Sequence, residues 1–301
     1  MIKNAIHIEN FSKSFGSLKA VNNLSFDVNK GEIFAFLGSN GSGKTTTIRC
    51  LLKIYQPDTG ELLINGQPYS EDINTEIGYL PEERGMYKDV EVLDILIYTA
   101  VLRGLSQEDA KKKSLKYLEL VNLIEDKDKK VSQLSSGMQQ KVQLGIAIIH
   151  TPHLLILDEP FKGLDPLNRQ LFIDILLDMA KQGTTILYST HVIDEAQKMA
   201  NSLLIIDKGE KIEYGKIEEV RKKYGSNTLM ISFIGKKPLR DGKTYTSTVY
   251  NSSAEVTPKS QCNTDDVIKE LIDNGTNILE LKVDYPSLNE IFIESVKKHE
   301  K

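Results

Sequence analysis

Three short stretches of this chain hold residue types whose spacing could do chemistry. The first is Gly38-Ser39-Asn40-Gly41-Ser42-Gly43-Lys44-Thr45, which fits the pattern G-x-x-x-x-G-K-S/T of a phosphate-binding loop. An apolar run, Ile33 to Leu37, precedes it, and Thr46 to Lys53 reads as a helix. Strand, glycine-rich turn and helix are the context that the pattern needs. The glycines let the backbone turn tightly and present N–H groups to phosphate oxygens. The helix adds its positive end. In this reading Lys44 reaches the β- and γ-phosphates, and the Thr45 hydroxyl meets Mg²⁺.

The second stretch is Leu154-Leu155-Ile156-Leu157, fully apolar as in a parallel strand buried on both faces, ending in Asp158-Glu159-Pro160. Ligands of open α/β sheets bind at the carboxyl ends of such strands. Asp158 is therefore expected to anchor Mg²⁺, directly or through water. Glu159 is expected to act as the base or orienter of an attacking water. The third is Thr184 to Ser189, another buried-type strand, which delivers Thr190-His191 to the same edge. Phe15, within Lys13-Ser14-Phe15-Gly16, is a candidate for stacking on a base. Asp165, before Pro166, reads first as a helix cap.

The elements around these stretches alternate in type. Residues 5–12 and 24–28 alternate like short strands, and Glu61 to Ile64 is a strand entering the tight turn Asn65-Gly66. Ile77 to Leu80 is a strand stopped by Pro81. From 91 to 150 the pattern is helical, with Ser106-x-x-Asp109 as one helix start and Leu134-Ser135-Ser136-Gly137 opening another that runs to about His150. Residues 202–207 and 211–214 form a hairpin across Lys208-Gly209-Glu210, and a basic helix from Lys216 to Tyr224 ends at Gly225. Beyond it the character changes. Residues 228–250 read as strands and 251–263 as a polar loop. Thr264 caps a helix that stops at Gly275, Ile278 to Val283 is a strand, and Ser287-Leu288-Asn289-Glu290 is a capping box. The expected fold is α/β: a P-loop NTPase core, mostly parallel sheet with an antiparallel β subdomain and a helical insertion at about 85–150, plus a small C-terminal α+β domain. The expected division is 1–224 and 225–301.

Composition narrows the class. The chain has 301 residues, 40% of them hydrophobic and 27% charged, as in a globular protein large enough for one or two cores. A net charge of −4, with Lys and Arg dispersed, gives no reason to expect nucleic acid. Cys50 and Cys262 are the two cysteines and match no metal spacing, which suits a reducing cytosol. The N-terminus alternates polar and apolar residues, so no signal peptide is expected. The longest uncharged stretch, Val142 to Leu157, is too short to span a membrane and contains Pro152.

Taken together, the phosphate loop at 38–45, LSSGMQQ at 134–140, LLILDEP at 154–160, GLDP at 163–166 and STH at 189–191 resemble the ATP-binding subunit of an ABC transporter. The resemblance covers about residues 5–222 and agrees in both identity and order. IGYLPEERGMY (77–87) and PSLNEIF (286–292) resemble a subgroup with a C-terminal accessory domain that pairs with separate ABC-2-type membrane proteins, mostly exporters. The resemblance implies ATP and Mg²⁺ as cofactors and ATP hydrolysis coupled to transport. It implies that Phe15 stacks on adenine, that Gly38, Ser39, Asn40, Gly41, Ser42, Gly43, Lys44, Thr45 and Thr46 hold the phosphates, and that Thr45, Glu82 and Asp158 serve the metal. Glu159 would polarise water and His191 would contact the γ-phosphate. Ser135 and Gly137 would contact nucleotide on a second subunit, with Asp165 at that interface. The partners would be membrane permease subunits and a head-to-tail homodimer or heterodimer of ATP-binding domains. The chain would sit in the cytoplasm, peripheral on the inner face of the cell membrane through the permease.

Four residues depart from the commonest family pattern. Glu82 stands where Gln is usual, Ser136 and Met138 replace the second Gly and the Gln of the LSGGQ signature, and Lys162 stands where a small Ser is usual. None removes a phosphate donor. Two other classes of function compete. A non-transport ABC ATPase of the repair type needs a long coiled coil between Lys44 and Leu134, where there are no sustained heptads. A ribosome-associated type normally carries two cassettes. A regulatory nucleotide-binding module without turnover would not need Glu159 and His191.

Overall fold

The structure, a computed structural model, describes residues 4–83, 85–225, 228–234, 240–250, 253–259, 262–283 and 285–299. Two compact units divide the chain at 217/218, inside a helix. In the first, β1 (Asn4–Phe15) and β2 (Leu18–Asn29) form a hairpin, and β3 (Ile33–Leu37) leads through the glycine loop into α1 (Lys44–Leu51). Both hairpin strands run several residues beyond the sequence expectation, because Phe15 pairs with Leu18 across a turn at Gly16. β4 (Thr59–Ile64) joins β1, and β5 (Ile77–Leu80) begins a different sheet.

The helical segment follows: α2 (Val92–Leu102), α3 (Gln107–Leu120) and α4 (Ser136–Ile148). Local chemistry starts two of them. Ser106 accepts from Asp109 N at the head of α3, and Ser135 accepts from Met138 N at the head of α4. α3 and α4 pack closely at one glycine. A Cβ on Gly145 would stand 2.5 Å from the Tyr117 ring, whose hydroxyl donates to Lys141 O at 2.6 Å.

The chain then returns to the second sheet through β6 (Leu154–Asp158), α5 (Pro166–Lys181), β7 (Thr185–Thr190), α6 (Ile193–Met199), β8 (Ser202–Asp207) and β9 (Glu210–Lys216). β3, β6, β7 and β8 are buried at every residue, which explains their largely apolar sequences, with polar residues only toward the strand ends. The six-stranded order is β5-β6-β7-β3-β8-β9, with β9 antiparallel to β8 and the other pairings parallel. Lys208 (φ 48°) and Gly209 (φ 83°) make the tight β8–β9 turn, which needs two positive φ angles. The three-stranded sheet, β2-β1-β4, lies against the larger one, and Phe26 stacks on Phe34 with centroids 5.6 Å apart. No helix among the described residues is long and apolar enough to cross a membrane.

α7 (Ile217–Tyr224) spans the division. The second unit contains β10 (Leu229–Ile234), β11 (Tyr245–Tyr250), β12 (Ser253–Pro258), α8 (Thr264–Asp273), β13 (Asn277–Val283) and α9 (Leu288–His299). Its sheet, ordered β11-β12-β10-β13, is antiparallel throughout. Leu229, Ile231, Ala254, Val256, Val267 and Leu271 form a core of its own. Two expectations are corrected here. Residues 251–263 were expected to be loop, but β12 occupies Ser253–Pro258; residues 251, 252, 260 and 261 lie outside the described residues. Only Ala254 and Val256 are buried, so two small apolar residues carry a period that Ser253, Glu255 and Thr257 obscure. The cap of α8 is Asn263, not Thr264: its side chain accepts from Asp266 N, and the Asp266 carboxylate reaches back to Asn263 N.

Candidate nucleotide site

Adjacency in the sheet brings the three stretches together. β3 lies beside β7 with Leu37 opposite Thr190, and β6 lies on the other side of β7 with Asp158 opposite Ser189. The chain segments leaving β3, β6 and β7 therefore emerge at one edge. β5 beside β6, with Leu80 opposite Leu157, adds the loop that carries Glu82.

The glycine loop is sterically committed to its path. A Cβ on Gly38 would meet Ile206 O and Ser42 Oγ, each at 2.4 Å, and one on Gly43 (φ 110°) would meet Ala20 O at 2.7 Å. Lys44, 5% exposed, curls over the loop and donates to Gly38 O at 2.8 Å and Ser39 O at 3.0 Å. Burial lowers its pKa, and Glu159, Asp158 and Glu82 oppose that shift. The first N–H groups of α1 have no acceptor within the helix, so they are donors for an anion at its head.

Asp158 is fully buried. Its Oδ1 accepts from the Ser189 hydroxyl, while Oδ2 has no hydrogen-bond partner. Burial raises its pKa, against the Ser189 and Thr45 hydroxyls. Glu159 adopts a left-handed backbone (φ 52°), uncommon without glycine, which turns the chain sharply off the strand. Its N–H donates to Ser189 Oγ at 3.1 Å. Its carboxylate lies 3.0 Å from His191 Nδ1 and 3.9 Å from Lys44 Nζ. A carboxylate with an unpartnered oxygen beside a threonine hydroxyl and further carboxylates is an all-oxygen donor set, which suits a hard divalent cation.

A cleft of about 290 Å³ is lined by Asn40, Gly41, Gly43, Lys44, Thr45, Thr46, Glu82 and Glu159. Phe15, Ser135, Gly137 and Asp165 are not among these lining residues. Phe15 lies at the end of β1, 45% exposed, edge-on to Tyr55 at 5.5 Å and with the Lys13 amine 5.3 Å from its centroid. Ser135, exposed, and Gly137, half-buried, lie at the head of α4. Asp165 caps α5, accepting from Leu167 N and Asn168 N at 3.0 Å each; these bonds, with that from the Asn168 amide, hold its pKa down.

Sequence reasoning missed the residues that brace the site. Ser189 ties Asp158 to the backbone of Glu159. Glu195, buried, accepts from Thr190 Oγ1 at 2.8 Å and lies 3.6 Å from Arg169, next to the turn that bears His191. Burial raises its pKa. Ser189 stood within the STH motif without a role; nothing local marked Glu195.

Residues 21–162 match the ABC transporter family, and residues 215–296 match the C-terminal domain of DrrA1-3-like ATP-binding proteins. YhaQ of Bacillus subtilis, an uncharacterised ABC transporter ATP-binding protein, is 35% identical over 96% of this chain and 97% of its own length. Nod factor export ATP-binding protein I of Cupriavidus metallidurans is 35% identical over 78% of this chain and 79% of its own. Among solved structures, an ATP-binding subunit of an ABC transporter superposes with a TM-score of 0.69 at 28% identity, covering 73% of this chain and 93% of that one. The fold and site define a P-loop ATPase of the ATP-binding-cassette type. The chain belongs to the ABC transporter ATP-binding proteins, within the subgroup that carries the DrrA-like C-terminal domain. It is a nucleotide-binding ATPase subunit.

Proposed function

We propose that this chain hydrolyses Mg-ATP to drive export through separate membrane subunits. One observation carries the reading: Lys44, Thr45, Glu82 and Glu159 line one cleft, Asp158 interacts with Thr45, Glu82 and Lys44, and His191 lies 3.0 Å from the Glu159 carboxylate. The loop Gly38 to Thr46 supplies N–H donors to the phosphates, and Lys44 faces the β- and γ-phosphates. Thr45, Asp158 and Glu82 would hold Mg²⁺, which would supply positive charge against the charge developing on the phosphates. Glu159 polarises the attacking water, and His191, held against that carboxylate, contacts the γ-phosphate. Phe15 stacks on adenine.

The far side of the γ-phosphate needs donors too, and the head of α4 offers Ser135 Oγ and free N–H groups at Gly137. A head-to-tail pair of chains, alike or different, would bring these to the partner's nucleotide, with Asp165 at the interface. The name of the Nod factor export relative favours outward transport. The membrane partner would be a permease, with the chain on the cytoplasmic face. Residues 1–224 would form the ATP-binding domain and 225–301 an accessory domain.

Lys44→Ala tests the reading at its base. It removes the main cation facing the phosphates and is expected to abolish both Mg-ATP binding in calorimetry and phosphate release. Binding as tight as the parent's would refute the phosphate-loop assignment.

A further inference from the structure

Two of the four departures from the family pattern meet in space. Lys162 Nζ lies 2.7 Å from Glu82 Oε1. The residues sit on different loops, one leaving β5 and the other leaving β6. Both loops are pinned to one helix. Gln143 of α4 donates from Nε2 to Pro81 O at 2.9 Å, and Gln140, one turn earlier, donates from Nε2 to Pro160 O at 3.0 Å. Both glutamines are buried. The backbones that present Glu82 and Lys162 are thus fixed relative to each other, although the Lys162 side chain is 59% exposed.

The charges explain why the two belong together. Glu82 and Glu159 both line the cleft and, with Asp158, act on Lys44, which is the one cation among the lining residues described. A polyphosphate entering that cleft meets a third carboxylate, which the usual glutamine would not present. A neutral amide needs no counter-charge, and the usual serine at the other position offers none. Here one loop adds a negative charge and the other adds the cation beside it.

We propose that Lys162 is a positioning residue that holds and neutralises the Glu82 carboxylate at the rim of the nucleotide cleft, and competes with the divalent cation for it. The proposal rests on the nucleotide-site reading above. Without a divalent cation, Lys162 is the cation paired with Glu82, which Lys44 offsets only weakly, so its loss exposes the nucleotide to more of that repulsion. With Mg²⁺ present the cation takes over that carboxylate, and the effect of losing Lys162 shrinks.

The test is calorimetric titration of the full chain with ADP, once in EDTA and once in excess Mg²⁺. In EDTA, Lys162→Ser is expected to weaken ADP binding about threefold, the scale of a partly exposed ion pair. Lys162→Arg should bind like the parent. Glu82→Gln combined with Lys162→Ser should also return to the parent affinity, and the deficit should narrow in Mg²⁺. Equal affinity of parent and Lys162→Ser in EDTA overturns the proposal, as does a double variant no better than Lys162→Ser. A deficit of the same size in Mg²⁺ overturns the competition with the cation. A parent chain that binds ADP in neither condition would instead refute the nucleotide site itself.

Discussion

Phe15, proposed above to stack on adenine, belongs to neither apolar core. Its edge packs on Tyr55 and its ring remains 45% exposed at the end of a hairpin strand. Stacking of a base on such a ring contributes roughly 1–3 kcal/mol. Phe15→Ala should therefore weaken ATP binding about tenfold, while inorganic pyrophosphate, which has no base, should compete equally well against both forms. Equal ATP affinity for parent and variant would remove Phe15 from the site. The phosphate-loop residues were legible because they are contiguous: one octet specifies a turn, its N–H groups and its cation. Asp158 and Glu159 were legible for a related reason, since they end an apolar strand. Ser189 was not, because its value lies in reaching Asp158 and Glu159 across thirty residues of chain. Glu195 was hidden in the same way. Its acidic neighbour on α6, Asp194, leaves it without local distinction, and only packing shows that it is buried against Thr190 and Arg169.

Helices of the insertion, α2 to α4, were readable from caps and helical spacing, and Ser106, Ser135 and Ser287 cap as their motifs require. What the pattern did not reveal was how elements meet. Gly145 reads as an ordinary weak point in a helix, and only the Tyr117 ring against it explains why a side chain has no room there. β12 escaped notice because a strand half-faced with Ser, Thr and Glu looks like loop until its partners on both sides are known. α2 presents Tyr98 and Leu102 to solvent, 55% and 63% exposed, more apolar surface than a lone helix gains by showing. α4, behind it, grips the loop that carries Glu82. If the chain works with a permease as proposed, this insertion would dock a cytoplasmic helix of it and report nucleotide state to it. With single cysteines at Tyr98 and Leu102, cross-linking in membranes should capture the membrane subunit, and cysteines in the second unit should not. Capture only from the second unit would reverse the docking assignment.

Two cores in one chain imply two separable bodies. The cluster of Leu229, Ile231, Ala254, Val256, Val267 and Leu271 is distinct from the core around Phe26, Phe34 and Phe36. A chain ending at Tyr224 should stay folded and bind ATP with the parent's affinity. A soluble, folded truncation that has lost nucleotide binding would show that the second unit contributes to the site. On the proposed reading the catalytic body is, by contrast, only half of what hydrolysis requires. Its cleft gathers Lys44, Thr45 and Glu159, while Ser135 and Gly137, the donors proposed for the far side of the γ-phosphate, are not among that cleft's lining residues. Binding would close two chains around two nucleotides, and hydrolysis would release them, a stroke that membrane subunits can use. Glu159→Gln isolates this claim, since it keeps shape and hydrogen bonding but removes the charge that polarises water. Light scattering at saturating Mg-ATP is the direct measurement. The shared-site account expects Glu159→Gln to bind ATP, stall before hydrolysis and run at twice the monomer mass. A variant that binds ATP yet stays monomeric, with parent turnover per chain independent of protein concentration, would contradict it.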